Sequence, residues 1–225
     1  IDNFDLRFER FGDNAQMYAF STFFKNFSDP IELTYFLSAS DQFQPRNLGS
    51  AIVYGIEFEI RKDFGFIGDA WKGLNFNINA SWINSELEMG EDEYESRRLG
   101  LREGEELEDT RPLQGQSPYL VNVGLNYGNE EAGWQAGLFY NLQGETLEVV
   151  GNGDVPDAYT MPFHSLNFNM IKSFGKNLNS SFNFGIKNIL DDNLETHYQA
   201  YKAEDQIFSK LSPGRAITFG YAYKF

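Results

Sequence analysis

A chain of 225 residues, 16% of them aromatic, carries a formal charge of -15 and no cysteine. The missing cysteine excludes disulfides, thiolate nucleophiles and cysteine-ligated metals, and the acidic balance argues against nucleic acid, whose phosphates need clustered Lys and Arg. No window approaches the roughly 18 consecutive apolar residues of a membrane-spanning helix, so a helical membrane protein is excluded too. With 22 Phe and 12 Tyr in a chain of mean hydropathy -0.45, the aromatics must alternate with polar residues rather than cluster.

The opening stretch, IDNFDLRFERF, has no Met, charged leader or apolar signal core, as expected of a mature protein or a piece of a longer one. Phe4, Leu6 and Phe8 alternate with Asn3, Asp5, Arg7 and Glu9, the period of a two-faced strand. After the turn GDN, AQMYAFSTFFKNF sets Tyr18, Phe20 and Phe24 against Met17, Ala19, Ser21 and Lys25, with Phe23 breaking the pattern. SAIVYGIEFEIRK is the clearest strand, with Ile52, Tyr54, Ile56, Phe58 and Ile60 opposite Val53, Gly55, Glu57 and Glu59. LNFNINASWINSE sets Leu74, Phe76, Ile78, Ala80 and Trp82 against Asn75, Asn77, Asn79 and Ser81, and such a row of Asn is costly in a dry core. PYLVNVGLNYG, GWQAGLFYNLQ, FHSLNFNMIKS and SFNFGIKNIL repeat the alternation. RAITFGYAYKF closes the series with Ile217, Phe219, Tyr221, Tyr223 and Phe225. The reading is about nine strands of barrel-spanning length.

The connections alternate between short and long. GDN, GNEEAG and FGKNLN are short; residues 27 to 50, 84 to 116, 144 to 162 and 191 to 212 form long ones rich in Asp, Glu, Gly and Pro. RKDFGFIGDAWKG is intermediate, and its Phe64, Phe66, Ile67 and Trp71 suggest a small packed turn or helical piece. A soluble sandwich with one polar face per sheet is the competing fold, but it has no reason to gather its long loops at one end, whereas an outer-membrane barrel does. Counted back from Phe225, every short turn falls at one end and every long loop at the other. The predicted fold is therefore all-β, an antiparallel transmembrane barrel wall, with aromatic and aliphatic residues toward lipid. Arg7, Glu57, Glu59, Asn77 and Asn122 would face the lumen, and Tyr127, Trp134 and Tyr223 at strand ends would sit at headgroup level.

The stretches FSTFFKNFSDPIE, NLGSAIVYGIEFEIRKDF, RPLQGQSPYLVNVGLNY, VPDAYTMPFHSLNFNMIKSFG, GIKNILDD and SPGRAITFGYAYKF resemble, in the same order, the C-terminal strands of TonB-dependent outer-membrane receptors, most closely those of the Bacteroidetes type. The resemblance covers essentially the whole chain. It implies a barrel of about 22 strands plugged by an N-terminal domain that TonB contacts. Residues 1–225 would then be the C-terminal part of that barrel, with the plug domain and earlier strands elsewhere. It further implies integration in the bacterial outer membrane, contact with the lipid bilayer and the remainder of the receptor, and energy from TonB through the plug. Tyr221, Tyr223 and Phe225 resemble the terminal aromatic signal read by the barrel-assembly machinery. A surface lipoprotein is a further possible partner, one that would accompany glycan or peptide uptake.

Chemistry-bearing motifs are sparse. His164 and His197 read as a strand-end and a loop histidine, with no metal-ligand partner at recognised spacing, and no phosphate, dinucleotide or hydrolase signature occurs. GNGDVP reads as a turn-rich loop, and the sequons NAS and NSS as chance. The stretch SELEMGEDEYESRRLGLREGEELEDTRP holds eleven acids against four arginines, which raises a cation site beside the plainer reading of a solvated outer loop. Glu57 and Glu59 would meet either a basic plug surface or water. Pro156 and Pro162 would stiffen the entry to a strand, with Tyr159 a rim aromatic that need not touch ligand. No enzyme activity and no cofactor are expected. The function expected is a segment of an active transporter for an iron chelate, cobalamin, glycan or peptide. The alternative is a structural barrel subunit or scaffold without transport.

Overall fold

The computed structural model describes residues 1–13, 16–36, 39–151, 153 and 155–225. Asn14 and Ala15 of the first turn, Leu37 and Ser38, and Asn152 and Asp154 of GNGDVP lie outside the described residues. In chain order the elements are β1 (Asp2–Phe11), β2 (Met17–Ser28), β3 (Ile31–Phe36), β4 (Ala39–Asn47), β5 (Ser50–Asp63), β6 (Leu74–Glu88), α1 (Glu91–Leu99), β7 (Thr110–Arg111), β8 (Tyr119–Asn129), β9 (Trp134–Gln143), β10 (Thr146–Val149), β11 (Ala158–Thr160), β12 (Phe163–Phe174), β13 (Ser180–Lys187), β14 (Leu194–Tyr198), β15 (Gln206–Leu211) and β16 (Ala216–Tyr223).

A large antiparallel sheet runs in the order β1-β2-β5-β6-β8-β9-β12-β13-β16, with the two-residue β7 attached to β6. These are the strands that alternation alone picks out. Register keeps the two faces apart across strand after strand. Phe8, Phe20, Phe58, Ala80, Val121 and Leu142 stand in one cross-strand row, and the next row is Glu9, Ala19, Glu59, Asn79, Asn122 and Asn141. A slip of one residue would exchange the rows, so the side-chain pattern itself pins the pairing.

Nothing among the described residues covers the apolar face. Phe8 is 70% exposed, Trp82 72% and Phe219 80%, values no sandwich interior allows, and the soluble-sandwich alternative falls with them. The largest fully buried side chains, Leu87, Leu147 and Val150, lie instead at the end where the long connections meet. The sheet has two free edges, and both β1 and β16 are exposed along their whole length.

Two irregular positions on the polar face have a common cause. The Phe23 ring lies against Gly55, where an added Cβ would come within 2.9 Å of it, and the Phe139 ring lies against Gly137, where the figure is 2.5 Å. An aromatic laid over a strand glycine covers backbone that would otherwise lack packing. Phe23 therefore belongs to the polar face without breaking the strand.

The short connections, residues 12–16, 64–73, 130–133 and 175–179, fall at one end of the sheet, and the long ones, 29–49, 89–118, 144–162 and 188–215, at the other. The intermediate turn holds a 3-10 helix, Asp69–Trp71, the helical piece that was one of its two expected forms, while Phe66, Ile67 and Trp71 stay about half or more exposed and do not pack it. It is fixed by backbone instead. Gly73 has φ +84, and the Gly128 N–H donates to its carbonyl at 2.9 Å. The long connections are not plain loops. The first is the hairpin β3-β4; the second carries α1 and β7; the third and fourth combine in a four-stranded sheet, β10-β11-β14-β15.

Candidate functional site

The four long connections meet in one polar cluster. Its centre is Arg111, whose side chain is 5% exposed. Its Nη2 donates to Glu32 Oε2 at 2.6 Å, reaching the first connection, and its Nε donates to Glu93 Oε1 at 2.6 Å. Burial works against this charge, but the hydrogen bonds to Glu93 and Glu32 outweigh it and hold the guanidinium above its ordinary range. Its charge is thus constant at any accessible pH.

Helix α1 supplies Glu93 and Arg97 because of its charge order. Glu91, Asp92 and Glu93 occupy the first turn and Arg97 and Arg98 the last, which complements the helix dipole at both ends. Arg97 Nε donates to Glu93 Oε1 at 3.1 Å across one turn. Its two terminal nitrogens reach the third connection, donating to Asp157 Oδ2 at 3.0 Å and Oδ1 at 2.8 Å, a bidentate pair of the geometry that suits Arg and not Lys. Burial opposes the Arg97 charge too, and the Asp157 bond more than offsets it.

Gln114 closes the cluster through backbone. Its side-chain oxygen accepts from Leu33 N at 2.6 Å, its amide donates to Leu33 O at 2.9 Å and Glu148 O at 2.6 Å, and its own N–H donates to Glu32 Oε1 at 2.7 Å. One side chain thereby satisfies the edges of β3 and β10. The fourth connection joins where Gln199 N donates to Asp157 O at 3.0 Å and Arg102 donates to Tyr201 O at 3.2 Å. Between these parts lies a cleft of about 150 Å³ bordered by Arg97, Leu101, Arg102, Gly151, Asp157 and Tyr201. Guanidinium and carboxylate groups side by side can hold a polar ligand.

The acidic stretch is therefore not a simply solvated loop, since Glu93 is bound by two arginines. Among the described residues no group of three or more His, Asp or Glu side chains gathers as a metal set. Tyr159, on β11, has its hydroxyl held above the ordinary tyrosine range by burial and by Asp157. His164 is at the start of β12, its Nδ1 2.7 Å from Tyr140 Oη. His197 lies on strand β14, not in a loop, with its Nε2 2.9 Å from Glu195 Oε2.

Arg7, Glu57, Glu59, Asn77 and Asn122 all lie on the polar face. Two of them meet: Arg7 Nη2 donates to Glu59 Oε2 at 2.9 Å, and Arg61 donates to Glu59 Oε1 at 2.7 Å. Glu59 is thus neutralised within the sheet. Asn77 accepts from Asn126 at 3.2 Å and Asn122 from Asn141 at 2.6 Å. Tyr221 and Tyr223 lie on the opposite face, the Tyr221 ring 5.4 Å from that of Phe182, and Phe225 lies beyond the end of β16. Arg111, Glu32, Arg97 and Asp157 were not singled out from the sequence. The i,i+4 spacing of Glu93 and Arg97 is a local signal for that pair alone.

With this geometry established, comparison with known proteins decides the family. The model of the TonB-dependent receptor-like β-barrel matches residues 1–189. The chain belongs to that family. No curated protein matches the sequence significantly. Among solved structures, the ferric citrate transporter FecA in its unliganded form superposes with a TM-score of 0.66 at 16% identity, over 98% of this chain and 30% of its own. The ferric yersiniabactin uptake receptor FyuA from Yersinia pestis gives 0.65 at 16% identity, over 99% and 29%. The copper transporter OprC gives 0.64 at 16% identity, over 99% and 32%. At such identities the likeness concerns the fold, and the chain spans about 30% of the length of FecA. A TonB-dependent receptor barrel is an integral outer-membrane structure, so lipid covers the apolar face and the short turns and long connections lie on opposite sides of the bilayer.

Proposed function

We propose that residues 1–225 form the C-terminal part of the barrel wall of an outer-membrane receptor that takes up a scarce nutrient with energy supplied by TonB. The observation that carries this reading is the sorting of the sheet: a lipid face, a polar face, and all long connections gathered at one end into a buried ionic cluster. Further strands pair with β1 and β16, because an open backbone edge at membrane depth costs several kcal/mol per unsatisfied group. The polar face, with Arg7, Glu57, Glu59, Asn77 and Asn122, then lines the lumen and meets the plug through amides more than net charge, since Glu59 already has its cations. TonB acts through that plug, and the barrel-assembly machinery inserts the whole.

The substrate class follows the named neighbours only in outline: an iron chelate or other metal complex comes first, with cobalamin, glycan and peptide behind it. The Bacteroidetes likeness, and with it a surface lipoprotein partner, rests on the sequence resemblance alone. The test is energised uptake by cells carrying the complete receptor. Accumulation of a candidate ligand that disappears when TonB is deleted supports transport. A correctly inserted receptor whose cells accumulate none of these ligands beyond receptor-free cells would support the structural-subunit alternative instead.

A further inference from the structure

Charge on the lipid-facing side of the sheet is confined to its two ends, and the ends differ in sign. Among the described strand residues, Asp2, Glu86 and Glu88 stand at the end of the long connections, while Arg10, Lys62 and Lys172 stand within two residues of strand ends at the short-turn side. Between them the face is aromatic, aliphatic or neutral.

At the short-turn end of β1, β2 and β5 this face is hollowed. A groove of about 740 Å³ has Phe8, Tyr18, Phe20 and Phe58 along its floor and Arg10 and Lys62 at its rim. Phe20 and Phe58 pack with ring centroids 5.1 Å apart and make the floor continuous across two strands. Lys62 lays its stem along this surface and lifts its ammonium to 4.7 Å from the Phe66 ring and 6.0 Å from that of Tyr18. One of its protons goes to Gln16 Oε1 at 2.6 Å, which leaves the others for a ligand. Among the described residues neither Arg10 nor Lys62 forms an ion pair. Of the two acids lining the groove, Glu59 is bonded to Arg7 and Arg61 on the other face, and Asp13 belongs to the turn that follows β1.

We propose that this groove holds one anionic glycerophospholipid, with its phosphate between Arg10 and Lys62 and an acyl chain along Phe8, Phe20 and Phe58. The apolar floor selects an amphiphile over free phosphate, and the paired cations select an anionic headgroup over a zwitterionic one. Lys172 provides the contrast. Its ammonium sits 4.6 Å from the Trp134 ring and donates to Ala132 O at 2.5 Å, and it does not line the groove, so it serves as a cation of the same face outside the proposed site. The proposal depends on the membrane placement of the sheet and is independent of what the receptor transports.

The test uses the complete receptor in nanodiscs of equal phosphatidylglycerol and phosphatidylcholine, with protein-bound lipid read by native mass spectrometry. Each cation beside an anionic headgroup is worth roughly fivefold, so bound phosphatidylglycerol should exceed phosphatidylcholine by about tenfold or more. The double variant Arg10→Gln, Lys62→Gln should lose most of that excess, and Lys172→Gln should keep it. Millimolar inorganic phosphate should leave the lipid in place; displacement would mean a free-phosphate site and overturn the proposal. Should the double variant not fold, the native receptor still decides, since its excess must shrink in about 1 M salt, where screening shortens to roughly 3 Å. Equal binding of the two lipids, or an excess unchanged in the double variant or at high salt, would overturn it as well.

Discussion

Arg111 shows what a single residue does for the long connections. It is buried between two carboxylates contributed by different segments, and removing one member of such a set costs more than the set contributes, because a charge is left without a partner. Arg111→Leu should therefore loosen the cluster by about 3 kcal/mol or more, read as faster amide exchange in β3 and α1, whereas Arg98→Leu, whose partner Glu95 is half-exposed, should change exchange little. A second prediction concerns Glu195. Hydrogen bonds from Lys210 and then His197 hold its carboxyl below the ordinary glutamate value of 4.5. A lowered folded-state value means that the contact is fully present above 4.5 and is lost only as pH falls through the depressed value. The Glu195 carboxyl should therefore reach the midpoint of its own titration, followed by its side-chain carboxyl carbon NMR signal, only below pH 4.5, and Lys210→Gln should move that midpoint upward. The Arg111–Glu32 pair was not legible from local sequence, since the two are 79 positions apart and nothing in either neighbourhood encodes the other.

Elements were legible to very different degrees, and the reason is period. A wall strand exposes one face to lipid and the other to a polar space, so each carries its own alternation and can be recognised without its neighbours. The strands of the long connections have no such constraint: TLEV in β10 and LETHY in β14 acquire their state by pairing with the two sides of β11. Helix α1 lay between these cases, since EDEYESRRL has acids first and arginines last, but its charge density favoured reading it as solvated chain. Two predictions belong to elements. Ile56→Arg, in the middle of β5 on the lipid face, should destabilise the folded barrel by about 2–4 kcal/mol in a denaturant titration, while Asn79→Arg on the polar face of β6 should cost less than about 1 kcal/mol. Gly73→Ala should prevent the β5–β6 turn from closing beside β8. A Cβ there would lie 1.9 Å from Gly128 O, and φ +84 is left-handed, so loss of the folded, heat-modifiable barrel on gel electrophoresis is the expected outcome.

At the scale of the molecule, one sheet joins two different solvents and places its irregular segments on one side of the membrane. The lipid face needs no second layer, which is why the largest buried side chains sit at the end where the long connections meet rather than against that face. The two free edges, the family match and the sorted faces together describe a stretch of receptor wall. The most direct test of this account introduces single cysteines one at a time from Ile52 to Lys62 of the complete receptor, with the receptor lacking the introduced cysteine as the labelling control; residues 1–225 hold no cysteine of their own. Spin labels at Ile52, Tyr54, Ile56, Phe58 and Ile60 should be relaxed by oxygen dissolved in the bilayer. Labels at Val53, Gly55, Glu57, Glu59 and Arg61 should be relaxed by a water-soluble nickel chelate or be shielded by protein, with the two profiles out of phase along the strand. Profiles in phase, or a period other than two, would contradict the assignment of this sheet to a membrane wall.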